Sequence, residues 1–296
     1  MSRSSSRWQS GDRWLLRFLR LHAVLSGGII LLVLAFLVGA SYPALERIGL
    51  ARFFTDSSWN PSEEAAQGRF NLGPMLVGSL LVTAGAILLA APVGLASALF
   101  CRFHAPERLA SWYRRSIELL AGIPSVVFGF WGLVVLVPLL NRWQPPGQSL
   151  LAAVLLLALM ILPTVALLAD AALGQLPQEY RLSSEALGIS HWAAVGKVLV
   201  PAAGPGIWTG LLLATARAMG ETLAVLMVCG NIVQVPGSVF EPVRTLTTNI
   251  ALEMAYAAGD HRTSLFFTGL LLTGVVMILV GLVEKVSHRN ERRSAR

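Results

Sequence analysis

Charge is scarce in this chain. Asp, Glu, Lys and Arg together make up 13% of its 296 residues, against about 25% in soluble domains. That excludes an ordinary soluble globular protein. Cysteine is nearly absent too: Cys101 and Cys229 are the two it has, one at the edge of an apolar run and one inside another, so no disulfide framework is indicated. The five histidines, His22, His104, His191, His261 and His288, are scattered, and no His/Cys/carboxylate spacing describes a metal site. There is no P-loop, zinc-finger or dinucleotide fingerprint. The chain is therefore expected to bind no cofactor and to hydrolyse no ATP itself. No apolar run carries the Ser/His or Asp/Asp arrangement of an intramembrane enzyme, and no internal repeat is visible.

What the chain has is apolar residues. They account for 55% of it, and the mean hydropathy is +0.65. This is the composition of an all-α polytopic membrane protein. Apolar runs predict six transmembrane helices, over residues 22–40, 76–100, 117–140, 150–169, 207–235 and 263–283. Val38, Gly39 and Ala40 could be taken for a signal-peptidase site, but the run before them is long for a signal peptide, and it reads as an uncleaved first span. Pro92 and Gly94 predict a kink in the second span, and Pro124 a bend in the third. The chain divides into an N-terminal segment (1–21), the first span with an ordered loop (22–75), a core (76–284) that includes a long loop at 170–206, and a basic tail (285–296). With the N-terminus inside, the inner segments hold 16 Lys and Arg and the outer loops 6. Both termini are then cytoplasmic. The net charge of +7 follows from this bias, so the expected contact is membrane lipid and not nucleic acid. Trp14, Trp112 and Trp143 fall near predicted interfaces, where tryptophan anchors well.

Two charges interrupt the fifth span, Arg217 and Glu221. Arg217 falls roughly 15 Å along a helix that begins near Ile207, close to the bilayer midplane, where a lone charge costs about 2.5–3.5 kcal/mol. In a continuous helix the two side chains share a face, one turn apart. Gly210, Ala214, Ala218 and Gly220 add small residues that admit a close neighbour. The pair reads either as a salt bridge inside a helix bundle or as a substrate site. Ser79, Thr83 and Ser125 are weaker candidates for donating to an anion, since hydroxyls in spans commonly bond their own helix. Asn231 is placed to cap or gate the end of the fifth span.

The loop at 170–206 is the second informative stretch. Pro177 is suited to start a helix, with Gln178 and Glu179 in its first turn. Gly188 ends that helix, and a second runs over 190–200 before Pro201. The hairpin reads either as a dock for a cytoplasmic partner or as an amphipathic connector.

The order of helix, Gly188, a gap and Pro201 resembles the EAA loop of type-1 ABC importer permeases. RAMGETLAVLMVCGN at residues 217–231, IELLAGIPSVVFGFWGLVVLVP at 117–138, ALMILPT at 158–164 and FFTDSSWNP at 53–61 resemble, within that family, the phosphate-specific permeases of the PstC type. The resemblance implies the MetI-like type-1 permease fold. It implies Arg217 and Glu221 on a phosphate pathway, and a coupling helix seated in a separate ATPase. It also implies a homologous PstA-type permease, a PstB-type ATPase dimer that uses the ATP, and an extracytoplasmic PstS-type phosphate-binding protein. One departure stands in the loop. Leu182 occupies the place of the family's EAA glutamate, and Ser183 and Ser184 those of its alanines, ahead of Ala186 and Gly188. Glu179 and Glu185 flank Leu182 about one helical turn away, and either is suited to meet a basic ATPase residue. A permease for another oxyanion or small polar solute, and a non-conducting scaffold for phosphate signalling, remain as alternative functions.

Overall fold

A computed structural model describes residues 5–294. Helix α1 runs unbroken over Ser5–Arg47, with Pro43 inside it. A short helix α2 (Arg52–Thr55) and a two-stranded antiparallel ribbon, β1 (Trp59–Asn60) and β2 (Arg69–Phe70), follow. Helix α3 (Gly73–Leu99) continues as a π turn, Phe100–His104. After α4 (Glu107–Gly122) come α5 (Ser125–Trp131), a π turn at Gly132–Leu136, and α6 (Val137–Asn141). Helix α7 is Leu150–Gly174. The hairpin consists of α8 (Gln178–Ala186) and α9 (His191–Ala194), which leads through a π turn (Val195–Leu199) to α10 (Val200–Ala202). The chain ends with α11 (Gly204–Gly220), α12 (Leu223–Val228), α13 (Leu246–Glu253) and α14 (Gly259–Ser294). Arg3 and Arg296 of the basic termini lie outside the described residues.

Among the described residues four helices are long and apolar enough to cross a membrane, and two bent pairs, Glu107–Asn141 and His191–Gly220, bring the number to as many as six. Each of the six predicted stretches contains helix, but the third and the fifth are broken. The third turns by 91° between Gly122 and Ser125. Ile123 there is extended (φ −69°, ψ 129°), as a residue before proline is pushed to be. The spanning segment therefore starts at Ser125 rather than at residue 117. Helix α4 before it is amphipathic, burying Ala110 and Ile117. Pro92 lies inside a continuous α3 and interrupts nothing. The fifth span starts at Gly204, turns 65° from the preceding segment, and is interrupted again at Glu221.

The long loop is shorter than predicted. Asp170 lies within α7, which continues to Gly174. The second hairpin helix does not stop before Pro201 but runs to Ala202, because a π turn before the proline takes up the register that a ring without an N–H disrupts.

Helices α3 and α7 form the centre. Val82, Ala86 and Ala90 of α3 pack on Ala153, Leu157 and Ile161 of α7, all buried. In a bilayer, such contacts are favoured by close packing rather than by escape from water. Helix α11 lays Gly210, Ala214 and Ala218 against this centre. Helix α1 lies to one side against α14, with Phe36 edge-on to Phe266 at 5.6 Å. At the end that carries α2 and the ribbon, Phe53 stacks on Phe267 at 4.3 Å, and Phe70 and Trp59 close the cluster. The stretch at 236–262, between the last two predicted spans, contains α13. Its Thr245 and Thr248 form a reciprocal capping box.

Candidate functional site

Three breaks in helical structure position the candidate residues. The first is in the fifth span. Helix α11 stops at Gly220, and Glu221 is extended (φ −68°, ψ 129°). Backbone groups freed at such depth require partners, and side chains provide them. The Thr222 hydroxyl donates to the Gly220 carbonyl at 3.1 Å. Thr247 donates to the Glu221 carbonyl at 3.0 Å. The Glu221 carboxylate accepts from the Ala224 N–H at 3.3 Å, in the first turn of α12, where a negative charge complements the exposed N–H groups.

This geometry corrects the expected pairing of Arg217 with Glu221. A helical turn between them requires a helix through residue 221, and the helix ends one residue earlier. No ion pair joins the two side chains. Among the described residues Arg217 has no hydrogen-bonded partner. It is exposed, on the same stripe as Thr209 and Leu213 and about 100° around the helix from the packed stripe of Gly210, Ala214 and Ala218. A guanidinium about 20 Å along α11 is thus left uncovered by its own chain.

The second break lies beside the first. Helix α5, after the bend at Pro124, packs on α12. A Cβ on Gly129 would stand 2.8 Å from the Ala224 Cα and 2.9 Å from the Met227 Sδ, so this approach requires glycine. Val126, Val127, Phe130 and Trp131 on α5 remain exposed. On α11, Leu213 is exposed as well. Ser125 opens α5 and is half-buried.

The other hydroxyl candidates are placed differently. Ser79 is buried, donates to the Met75 carbonyl at 2.9 Å and accepts from the Leu246 N–H at 2.9 Å. It ties α3 to α13, and its one donor is already used within α3. Thr83 is also buried in α3. Asn231 adopts the left-handed region (φ 56°), and its amide donates to the Leu226 carbonyl at 2.8 Å, which makes it the cap of α12. Cys101 and Cys229 are free and buried. Trp14, Trp112 and Trp143 are each more than two-thirds exposed, at 73%, 68% and 73%.

The third break is the hairpin. Gly188 has φ +66°, a conformation that glycine adopts without strain, and it turns the chain from α8 into α9. Glu179, Leu182, Glu185, Ala186, Gly188 and Pro201 are all exposed. Leu187 and Trp192 are exposed beside them. A hollow of about 410 Å³ opens between the arms, lined by Glu179, Tyr180, Ser183, Leu187, Ile189 and Val198. The two flanking glutamates differ. Glu185 accepts from the Arg181 Nε at 3.0 Å, whereas Glu179 is unpaired among the described residues. His104 packs on Trp192 at 4.3 Å and braces the hairpin against the end of α3.

Sequence reasoning missed a polar cluster at the opposite end. Glu253 is buried and takes hydrogen bonds from Arg244 (2.7 Å) and Trp59 (2.9 Å), with the His261 Nε2 also 2.9 Å away. Arg244 further donates to the Asn231 carbonyl and the Asn249 Oδ1. The cluster borders an open cavity of about 540 Å³. Locally the sequence offers only Thr245 as a helix N-cap, with Arg244 before α13 and Glu253 as its last residue, and nothing local joins those charges to Trp59 or His261.

Residues 90–293 match the family model described as binding-protein-dependent transport system inner membrane component. The chain is 41% identical over 244 residues to the probable ABC transporter permease protein YqgH of Bacillus subtilis, covering 81% of this chain and 78% of that protein. It is 32% identical over 293 residues to the phosphate transport system permease protein PstC of Mesorhizobium japonicum, covering 92% and 87%. Among solved structures, a bacterial ABC transporter involved in the import of the acidic polysaccharide alginate superposes with a TM-score of 0.64 at 15% identity, over 96% of this chain and 99% of that one. The MetNI methionine ABC transporter in an inward-facing conformation gives 0.59 at 19% identity, over 72% and 93%. At these identities the structures speak for the fold, the type-1 importer permease fold. Six spans, two of them broken, a protruding hairpin and this sequence match together make the chain a member of the binding-protein-dependent transport system inner membrane component family, the permeases of ABC importers.

Proposed function

We propose that the chain is the PstC-type permease subunit of an ATP-driven phosphate importer in a bacterial inner membrane, with both termini cytoplasmic. The observation that carries this reading is Arg217. A guanidinium deep in a span, uncovered and unpaired among the described residues, needs either water or a second protein beside it. The exposed apolar residues of α11, such as Leu213, and of α5, such as Phe130, suit a homologous PstA-type permease that closes one pathway with this chain.

The chemistry follows from the charges. Phosphate is strongly hydrated, and a planar guanidinium replaces part of that shell with two parallel hydrogen bonds. Conduction also requires release. Glu221, held by the N-terminus of α12 rather than by Arg217, leaves the guanidinium free for the anion yet keeps a negative charge nearby to limit its hold. The hairpin, with Leu182, Leu187 and Trp192 outward, serves as the coupling helix for a PstB-type ATPase dimer that uses the ATP. A PstS-type binding protein delivers phosphate at the opposite end.

Uptake of phosphate into proteoliposomes containing all subunits tests this. Phosphate uptake should resist competition by sulfate and molybdate, and Arg217→Ala and Glu221→Lys should each reduce it at least tenfold. Unchanged uptake in both variants would reduce the two residues to structural parts.

A further inference from the structure

The break at Glu221 is held from outside its own span. The Thr247 hydroxyl, on the first turn of α13, donates to the Glu221 carbonyl at 3.0 Å. Thr247 is buried, and its oxygen lies 2.9 Å from the Thr245 Oγ1. Thr245 in turn accepts from the Thr248 N–H and closes the capping box of α13. The residue just before it is Arg244, which reaches Asn231, Asn249 and Glu253. Glu253 then gathers Trp59 from β1 and His261 from α14. Two sets of hydrogen bonds, joined by the peptide between Arg244 and Thr245, thus connect the wall of the 540 Å³ cavity to the peptide at which the fifth span is interrupted.

We propose that Thr247 is a positioning residue for Glu221: its hydrogen bond fixes the extended peptide after α11, and through it the direction of the Glu221 carboxylate and the spacing of that carboxylate from Arg217. The inference rests on the reading of Arg217 and Glu221 as pathway residues. The geometry favours it over a packing role for two reasons. Within its own span, the Glu221 carbonyl has no following helical N–H to satisfy it, since the next helix begins at Leu223. The bond is also made by the side chain of a separate element that enters at the first turn of α13, where a rigid capping box fixes its direction. Movement of the outer cluster, as when a binding protein docks over it, is transmitted to Glu221 through this contact.

The test uses the full transporter in proteoliposomes with the ATPase and the phosphate-binding protein, and reads phosphate moved per ATP hydrolysed. Thr247→Val keeps the shape and removes the donor, and Thr247→Ser keeps the donor. Loss of one such bond corresponds to about a fivefold fall in this ratio for Thr247→Val, with Thr247→Ser close to the native ratio. Glu221→Gln is measured alongside, and Thr247→Val added to it should change the ratio little further. A purely structural role would lower the yield of assembled complex and leave the ratio of surviving complexes intact, which overturns the proposal. So does a Thr247→Ser variant as impaired as Thr247→Val. If Glu221→Gln impairs the ratio and Thr247→Val does not, the positioning role fails while the pathway reading stands. If Glu221→Gln has no effect, the pathway reading fails and the inference with it.

Discussion

Arg114 approaches Asp170 with two nitrogens, Nε and Nη2, each 3.0 Å from the same carboxylate oxygen. The other oxygen takes the Arg102 Nε at 2.9 Å. One carboxylate thereby ties α4 and the π turn after α3 to α7, beside the hairpin. The Asp170 side chain is 14% exposed while the arginines remain about a third exposed. Replacing the carboxylate by an amide removes the charge from two charge-assisted bonds. Asp170→Asn should destabilise the chain by about 1–3 kcal/mol, seen as a lower midpoint of thermal unfolding in detergent. An unchanged midpoint would mean that both arginines are equally well solvated without it.

The close approach of α5 to α12 gives a second expectation. With a Cβ on Gly129 only 2.8 Å from the Ala224 backbone, the two helices must separate to admit any side chain. Overpacking of this kind costs about 1–3 kcal/mol. Because α12 begins two residues after Glu221, the displacement reaches the pathway. Gly129→Ala should reduce phosphate uptake, and Gly129→Leu should reduce it further, with membrane insertion retained as judged by the amount of chain in washed membranes.

The six apolar runs were legible because each is long and nearly uncharged, and only helices satisfy their backbone in lipid. The bend at Pro124 was legible from the proline itself. The interruption after Gly220 was not. Arg217 and Glu221 have the spacing of a helical pair, and nothing local in ARAMGETLAV forbids a continuous helix. The extended peptide at Glu221 is bonded by Thr247, 26 residues further on, and a distant donor leaves no local periodic signal. The Glu253 cluster was hidden for the same reason, since it assembles from β1, α13, α14 and the turn before α13. The hairpin was legible from Pro177 and Gly188, but the π turn that carries the helix past Pro201 was not, because a proline read locally marks the end of a helix rather than a shift in its register.

Glu253 has an expectation of its own. Its carboxylate is 8% exposed and balances Arg244, itself 18% exposed. Removing one partner of a buried pair leaves the other charge uncompensated, at about 3–5 kcal/mol. Glu253→Ala should therefore unfold the α13 end at markedly lower denaturant. Glu253→Gln keeps the shape but turns an NH2 group toward one of the donors that now point at the carboxylate, so it should fall between the native protein and Glu253→Ala. Equal midpoints for the alanine and glutamine variants would show that charge, rather than hydrogen-bond count, sets the loss.

The hairpin separates its two glutamates, and this decides which should meet the ATPase. Glu185 is held by Arg181 one turn away, an exposed pair of about 0.3–0.5 kcal/mol that nonetheless offsets its charge. Among the described residues Glu179 has no partner; it lines the hollow between the hairpin arms and lies on the first turn of α8. Leu182 between them is 59% exposed and offers only apolar contact. Glu179→Arg should place like charges against a basic ATPase residue, a juxtaposition that costs several kcal/mol at an interface. The ATPase recovered with the purified permease should then fall at least tenfold, while the permease's own unfolding midpoint moves by no more than about 0.5 kcal/mol in equivalent stability. Glu185→Arg should have the smaller effect on ATPase recovery. If the order of the two variants is reversed, Arg181 releases Glu185 on docking, and the contact belongs to the second half of α8.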